Sequence, residues 1–323
     1  MIDVCICTHN PRMDILSLTI SGLANQNVKP EVFRVILIDN HCIPPLSESI
    51  LLPLIHLGIP TLLIREPKLG LQHARIAAIR NTTSEWVLWL DDDNEPTPNF
   101  IQVGLDFIHL HPEIGCFGGK LLLPEGANYD RWLAPFLPYL GIKNPGEELK
   151  ITQVDQWTDA EPPGASAWVH RKVLNRFLQN SSMNVKFFKL DRNGKNGLAS
   201  CGDSMMMRGA VRLGLSCAYV PALKIFHHID LVRRSKFFYL IRLMYEYGKS
   251  HVILESLLKG LQPIPYHYQL DRDFFILIRD EFFKEKAKGS LFFGIGMIAY
   301  HLGVRSEHIR QHKNKPTPFF PMH

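Results

Sequence analysis

Four short apolar runs, each ending abruptly at polar side chains, constrain this chain more than any other feature. The first, VCICT at residues 4–8, stops at Thr8-His9-Asn10. Ile15, Leu16, Leu18, Ile20, Leu23 and Ala24 then recur at helical spacing, and the next run, FRVILI at 33–38, ends at Asp39-Asn40. The pattern repeats with a strand at 61–65, a helix over 71–81 and WVLWL at 86–90, which ends in Asp91-Asp92-Asp93-Asn94. Continuous apolar runs of this length are what strands buried on both faces require. Alternating β and α elements with short crossovers predict an α/β fold with a mostly parallel central sheet and helices on both faces. Ligands of such sheets bind beyond the carboxyl ends of the strands, so Thr8, Asn10, Asp39, Asn40 and residues 91–94 are the positions to examine.

A chain of 323 residues with 46% hydrophobic and 21% charged residues can bury a full core, which excludes a disordered chain. No apolar stretch reaches the roughly 18 to 20 residues a bilayer span needs, and the N-terminal segment has no basic region ahead of an apolar one, so the expected location is cytoplasmic. The six cysteines are scattered through apolar runs without zinc-knuckle spacing and read as reduced, largely buried thiols. The net charge of +5 is uneven. From residue 231 onward there are 15 Lys and Arg against 8 Asp and Glu, leaving 21 against 23 before it. An excess confined to one end points to a local anionic partner, a membrane surface or phosphate-bearing substrate, and away from nucleic acid.

Residues 120–165 are rich in Pro and Gly and read as loops with short elements lying over the site. After residue 229 the texture changes to helices with aromatic and basic residues, at 231–258 and 274–288, followed by an apolar stretch at 290–304. The expected division is a catalytic domain over 1–229 and a helical region over 230–323.

Three consecutive aspartates at the end of an apolar strand are costly, since desolvation and mutual repulsion both penalise them. A hard divalent cation such as Mg²⁺ or Mn²⁺, held by one or two carboxylates and the phosphates of a substrate, would offset that cost. The plainer alternative is a solvated turn with a helix N-cap ahead of Pro96-Thr97-Pro98.

VCICTHN, VILIDN, LGLQHARIAAI, WVLWLDDDNEPTPNF, PPGASAWVHRKVL, SCGDSMMMRGAVRLGL and YVPALKIFHH, in that order over residues 1–230, resemble the motif series of inverting family-2 glycosyltransferases with the GT-A fold. The resemblance implies that Thr8 and Asn10 lie beside the nucleotide base and ribose, that Asp39 accepts a hydrogen bond from the base, uracil in the first instance, and that Arg75 approaches the donor from the helix after Gly70. It makes residues 91–93 the DxD motif, with Asp93 the direct ligand of Mn²⁺ or Mg²⁺ and Asp91 or Asp92 nearer the ribose. His227 matches a histidine that completes the metal site, although a plain loop histidine is the competing reading.

The segment Cys201-Gly202-Asp203-Ser204 is similar to the family's catalytic-base motif, an acidic pair ahead of a helix. Gly202 stands where the first acid is usual, which leaves Asp203 as the expected base and the only candidate carboxylate. An ordinary helix N-cap is the alternative. The implied partners are a nucleotide-sugar donor and a glycan or lipid-linked acceptor, in cell-envelope glycan synthesis. A sugar-phosphate nucleotidyltransferase would share the aspartates but should show a glycine-rich phosphate loop, which CTHNPRMD lacks. A non-catalytic nucleotide-sugar-binding relative is the other alternative, kept open by Gly202. Basic and aromatic residues interleaved from Arg233 to Lys249 suit an interfacial helix at the anionic inner membrane surface.

Overall fold

The computed structural model describes residues 1–183, 185–190, 197–260, 264, 265, 268, 271–287 and 290–313. The four apolar runs form β1 (Ile2–Thr8), β2 (Phe33–Asn40), β3 (Thr61–Glu66) and β4 (Trp86–Asp91), parallel and in the order β3-β2-β1-β4. The crossovers contain α1 (Met13–Ala24), the single turn α2 (Leu52–Ile55) and α3 (Leu71–Asn81). Alternation along the strands sends Val4, Ile6, Val35 and Leu37 to one face, against Leu16, Ile20 and Leu23 of α1 and Phe100 and Phe107 of α4 (Phe100–Leu110). Cys5, Ile36 and Ile38 point the other way, into a core shared with α3, α5 (Arg171–Met183) and α6 (Gly202–Val211).

The sheet continues from β4 through elements that the apolar pattern does not announce. β5 (Asn94–Pro96) follows β4 after two residues, and β6 (Ile114–Leu122) follows α4. β7 (Lys150–Thr152), β8 (Trp168–His170) and the long β9 (Ser216–His227) complete the order β4-β8-β6-β9-β5, with β7 on β9. β8 is antiparallel to both β4 and β6, while β6 and β9 are parallel. Residues 217–220 and 222–226 both belong to β9.

The basic-aromatic segment is α7 (Leu231–Arg234) and α8 (Phe237–Lys259), broken at Ser235-Lys236 and not continuous over 231–258. α9 (Asp271–Ala287) covers most of the helix expected at 274–288, and position 288 lies outside the described residues. α10 (Leu291–Lys313) runs well past residue 304. α8 and α10 cross very closely: a Cβ on Gly248 would lie 2.1 Å from the Tyr300 carbonyl, and one on Gly303 2.0 Å from that of Tyr245. The C-terminal helices also share the cores of the sheet. Ile253 and Leu254 of α8 pack with Met206 and Phe177, and Leu240, Leu243 and Met244 pack on Leu133, Phe136 and Leu140 of a 3-10 helix at Arg131–Leu140. The change of texture at residue 229 is therefore not a gap between cores.

Candidate active site

Adjacent β1 and β4, in register with Cys7 opposite Asp91, bring Thr8 and the three aspartates to one sheet end. Asp92 and Asp93 are engaged by different partners, Thr8 and His227. Among the described residues, no group of three or more His, Cys, Asp or Glu side chains gathers on a metal position. The Thr8 hydroxyl donates to Asp92. Burial, and then the charges of Asp93 and Asp91, push the Asp92 carboxyl up to about 7.

Asp93 is directed elsewhere. β5 runs antiparallel to β9 with Asn94 opposite His227, and the His228 amide donates to the Asp93 carbonyl at 2.8 Å. His227 Nε2 consequently lies 3.2 Å from Asp93 Oδ1, while Nδ1–H can donate to the Gly141 carbonyl at 3.3 Å. The imidazole is thus held between the Gly141 carbonyl and the Asp93 carboxylate, with Nε2 on the Asp93 side. Arg234 of α7 reaches Asp93 Oδ2 at 3.9 Å. Burial works to raise the Asp93 carboxyl, but His227, Arg234 and Arg12 outweigh it and hold the group at about 2. Arg234, read from sequence as part of a lipid-facing stripe, is therefore turned toward the acidic turn.

The donor set fits a hard cation only in part. Asp93 and His227 could hold one together, and two protein ligands leave the remaining positions to substrate phosphates and water.

At the ends of β1 and β2, the polar side chains first hold their own loops. Asp39, 2% exposed, accepts from the amides of Cys42 (2.7 Å) and Leu46 (3.0 Å), and Arg65 lies 3.5 Å away. Burial opposes ionisation, yet those amides and Arg65 keep its carboxyl below the usual aspartate range. Asn10, at φ +48°, accepts from the Ile43 amide at 2.8 Å. Asn40 donates to the Lys68 carbonyl at 2.7 Å and accepts from the Gly70 amide at 2.8 Å. These loops enclose a small hollow of about 70 Å³ lined by Thr8, His9, Asn40 and Leu71. Asp39 and Asn10 shape the loop beside that hollow and do not line it.

Asp203 lies in the first turn of α6, whose N-cap is Cys201 in a left-handed conformation. It is not the N-cap that its sequence position allowed. Asp203 Oδ2 accepts from the Gly164 amide at 3.1 Å, and Oδ1 from the Ser204 amide at 3.0 Å. A Cβ on Gly164 would fall 2.7 Å from Asp203 Cβ and 2.8 Å from Arg75 Nη2, so this glycine is the spacer that lets Asp203 and the buried Arg75 approach each other. Asn94, fully buried, donates to the Ala165 carbonyl at 2.5 Å. Two hydrogen bonds thus tie the aspartate turn to the loop at 162–166 and that loop to Asp203.

Gly202 also has a steric reason. A Cβ there would lie 2.0 Å from Gln72 Nε2 and 3.0 Å from the Leu190 carbonyl, so Gln72 of α3 fills the space a side chain would take. Asp203 is the carboxylate of the 201–204 segment, and a second acid, Glu161, lies outside it in the loop that holds Asp203. Glu161, 6% exposed, lies in the loop ahead of Pro162-Pro163-Gly164; burial, with the charge of Asp203, pushes its carboxyl up to about 7 against the opposing effects of Ser204, Arg208 and Lys143. A single acid in a Pro-rich loop carries no periodic signal, and its proximity depends on a contact across 42 residues of chain. None of the six cysteines forms a disulfide, and four of them are buried.

The family model for glycosyl transferase family 2 matches residues 3–178. The chain belongs to that family. No curated protein matches it in sequence. Among solved structures, the mannosyltransferase PcManGT from Pyrobaculum calidifontis, in complex with GDP-Man and Mn²⁺, superposes with a TM-score of 0.54 at 12% identity, over 96% of this chain and 87% of that one. S. aureus TarS matches at a TM-score of 0.49 and 12% identity, covering 94% of this chain, which spans only 55% of the TarS chain. The fold is GT-A with a helical C-terminal extension.

Proposed function

We propose that the protein transfers a sugar from a nucleotide-sugar donor, UDP-linked, to an acceptor hydroxyl with inversion at the anomeric carbon, in a metal-dependent reaction. One observation supports this reading above others: the Asp91–Asp93 turn and Asp203 are linked by hydrogen bonds through Asn94, the 162–166 loop and the Gly164 amide. A donor diphosphate at the first and an acceptor at the second would meet across Arg75. Thr8, Asn10, Asp39 and Arg75 are the donor-side residues, with Asp39 and Asn10 shaping the loop against the base. A carboxylate has about four lone-pair positions, so Asp39 retains capacity for a base N–H beyond its two amides. Asp92 and Asp91 face the ribose side. Asp93 and His227 would hold Mn²⁺ or Mg²⁺, as PcManGT holds Mn²⁺ with its donor. When bound, the cation supplies positive charge at the departing diphosphate.

Asp203 accepts the proton of the acceptor hydroxyl, whose oxygen attacks the anomeric carbon on the face opposite the nucleotide. One carboxylate that takes a proton and one leaving diphosphate suffice for inversion, and no covalent sugar-enzyme species is needed. A thermal-shift screen tests the reading. UDP-glucose, UDP-N-acetylglucosamine and GDP-mannose are compared, each with Mn²⁺ and with chelator. A UDP-sugar is expected to raise the melting temperature only with Mn²⁺, and no shift with any of the three would sink the donor assignment.

The catalytic unit spans residues 1–229, and the helical region 230–323 serves the acceptor, a lipid-linked or envelope glycan at the inner membrane surface. No described helix is long and apolar enough to cross a membrane. Val232 and Phe238 are 81% and 88% exposed, and Leu291 and Phe292 are also exposed beside Phe237 and Trp132, whose rings meet edge to face. Exposed Arg233 and Lys236 flank this patch. Apolar rings with a basic rim match an anionic bilayer interface. In liposome sedimentation, binding should require anionic lipid, weaken as salt screens the charges, and fall in Arg233→Glu/Lys236→Glu. Protein that stays in the supernatant at low salt with every lipid would favour a soluble acceptor.

A further inference from the structure

We infer that the cavity between α8 and α10 is a second binding site, for an uncharged saccharide, separate from the transferase site. The inference stands without the transferase reading. α8 and α10 approach closely at Gly248 and Gly303, and toward their C-terminal ends they enclose, with the segment between α8 and α9, a cavity of about 390 Å³. Sites for small molecules have volumes of roughly 300–1,000 Å³. His251, Glu255 and Ser256 line the cavity from α8, Tyr300 and His301 from α10, and Tyr268 from the segment between α8 and α9. Neither the aspartate turn nor Asp203 is part of it.

The chemistry of these walls selects among ligands. Among the described residues, no lysine or arginine lines the cavity, so a phosphate or carboxylate would be desolvated there without a counter-charge. Glu255, the carboxylate among them, is paired with Arg208 and, at 2.8 Å, with Lys259, which leaves little net charge to hold a cation. An acyl chain would strip water from imidazole, phenol and carboxylate groups without replacing its hydrogen bonds. A neutral ligand that brings its own donors satisfies all three conditions. Each Glu255 oxygen keeps a lone pair beyond its ion pair, and Ser256, which donates to the Ile253 carbonyl at 3.2 Å, has an oxygen left to accept. Tyr268 and His301 are joined at 2.6 Å, which fixes the phenol against α10. A pyranose matches such a wall, since its C–H face packs on phenol rings and its hydroxyls donate to the carboxylate and the serine.

α8 also ties this cavity to the rest of the molecule. Arg208, the partner of Glu255, belongs to α6, and the Ser200 amide just ahead of α6 donates to the Ser250 hydroxyl of α8 at 3.0 Å. Two sources share the ligand chemistry, a unit of a longer glycan and a free sugar.

Saturation-transfer NMR on the full-length protein tests the site with glucose, galactose, N-acetylglucosamine, cellotetraose and chitotetraose, and with uridine for comparison. At least one saccharide should give a signal in the wild type and an equal one in Asp203→Asn and Asp93→Ala, which leave the cavity intact. Ser256→Trp fills the cavity and should abolish that signal. His251→Ala, at an exposed position, removes one hydrogen-bonding group and should weaken binding by roughly two- to tenfold. Melting curves establish which variants are folded, and either folded variant decides the matter alone. Affinity that rises from the monosaccharide to its tetrasaccharide assigns the site to a glycan, and equal affinity assigns it to a free sugar. No signal from any of these saccharides, or a signal undiminished in the folded variants, overturns the proposal. Uridine binding as tightly as the best saccharide overturns it too, because the cavity would then be a site for flat rings.

Discussion

Asp203→Asn should bind donor as the wild type does and lose turnover by at least about 10²-fold, the scale associated with removing a general base. The amide preserves the shape of the side chain but cannot take the acceptor proton. A structural cost accompanies the chemical one. Both Asp203 oxygens accept backbone amides, from Gly164 and from Ser204. Asparagine can accept only one of them, and a buried amide left without its partner costs about 1–3 kcal/mol. A melting curve on the variant therefore belongs with the kinetics. If the variant melts within a few degrees of wild type and still binds UDP-sugar, the loss of rate is chemical. Should turnover persist at the wild-type level, the base lies elsewhere and Asp203 serves only to hold the 162–166 loop.

The parallel half of the sheet was legible because burial on both faces demands unbroken apolar runs, and because each run ends where its strand meets solvent. Leu71–Asn81 is a helix over the residues the spacing marked. The other half was not. β5, β7 and β8 have three residues each, too few for any periodicity, and they exist because long-range partners complete their hydrogen bonds. This half nevertheless positions the site, since the pairing of β5 with β9 sets His227 beside Asp93. Sequence pattern could place both residues at strand ends but not facing each other.

Side-chain commitments were legible to different degrees. Asp39, Asn10 and Asn40 stand at strand ends as expected, yet their first partners are the amides and carbonyls of their own loops, the usual use of Asx side chains in turns. Arg234 looked like one of several basic residues on a helix, and the break at Ser235 turns it toward Asp93. Glu161 offered no signal at all, because a lone acid before two prolines is an ordinary loop residue until the loop is folded onto α6.

Calorimetry of UDP binding should show a marked difference between Mn²⁺ and chelator in the wild type and none in Asp93→Ala. The direction in the metal-free protein is as informative as the loss. Without a cation, Asp93 lies 3.2 Å from His227 and 3.9 Å from Arg234, and these neighbours with Arg12 hold its carboxyl below the usual aspartate range despite burial. Asp93 is thus ionised at neutral pH, and in the absence of metal it opposes an incoming diphosphate while engaging Arg234, a group that would attract one. Removing the carboxylate frees Arg234 and removes the repulsion. UDP affinity of Asp93→Ala in chelator should therefore equal or exceed that of wild type in chelator, although Mn²⁺ no longer improves it. A tenfold change corresponds to about 1.4 kcal/mol, and the metal-dependent gain in wild type should be at least that. Asp92→Ala provides the contrast, since Asp92 is bonded to Thr8 and not to His227; it should weaken UDP binding while leaving a gain with Mn²⁺. Equal UDP affinity with Mn²⁺ and with chelator in the wild type would end the case for a metal at Asp93 and His227. The same pair would then be read as a buried ion pair that closes the end of β9 against the aspartate turn, with Arg234 and Arg12 left as the groups that meet the diphosphate.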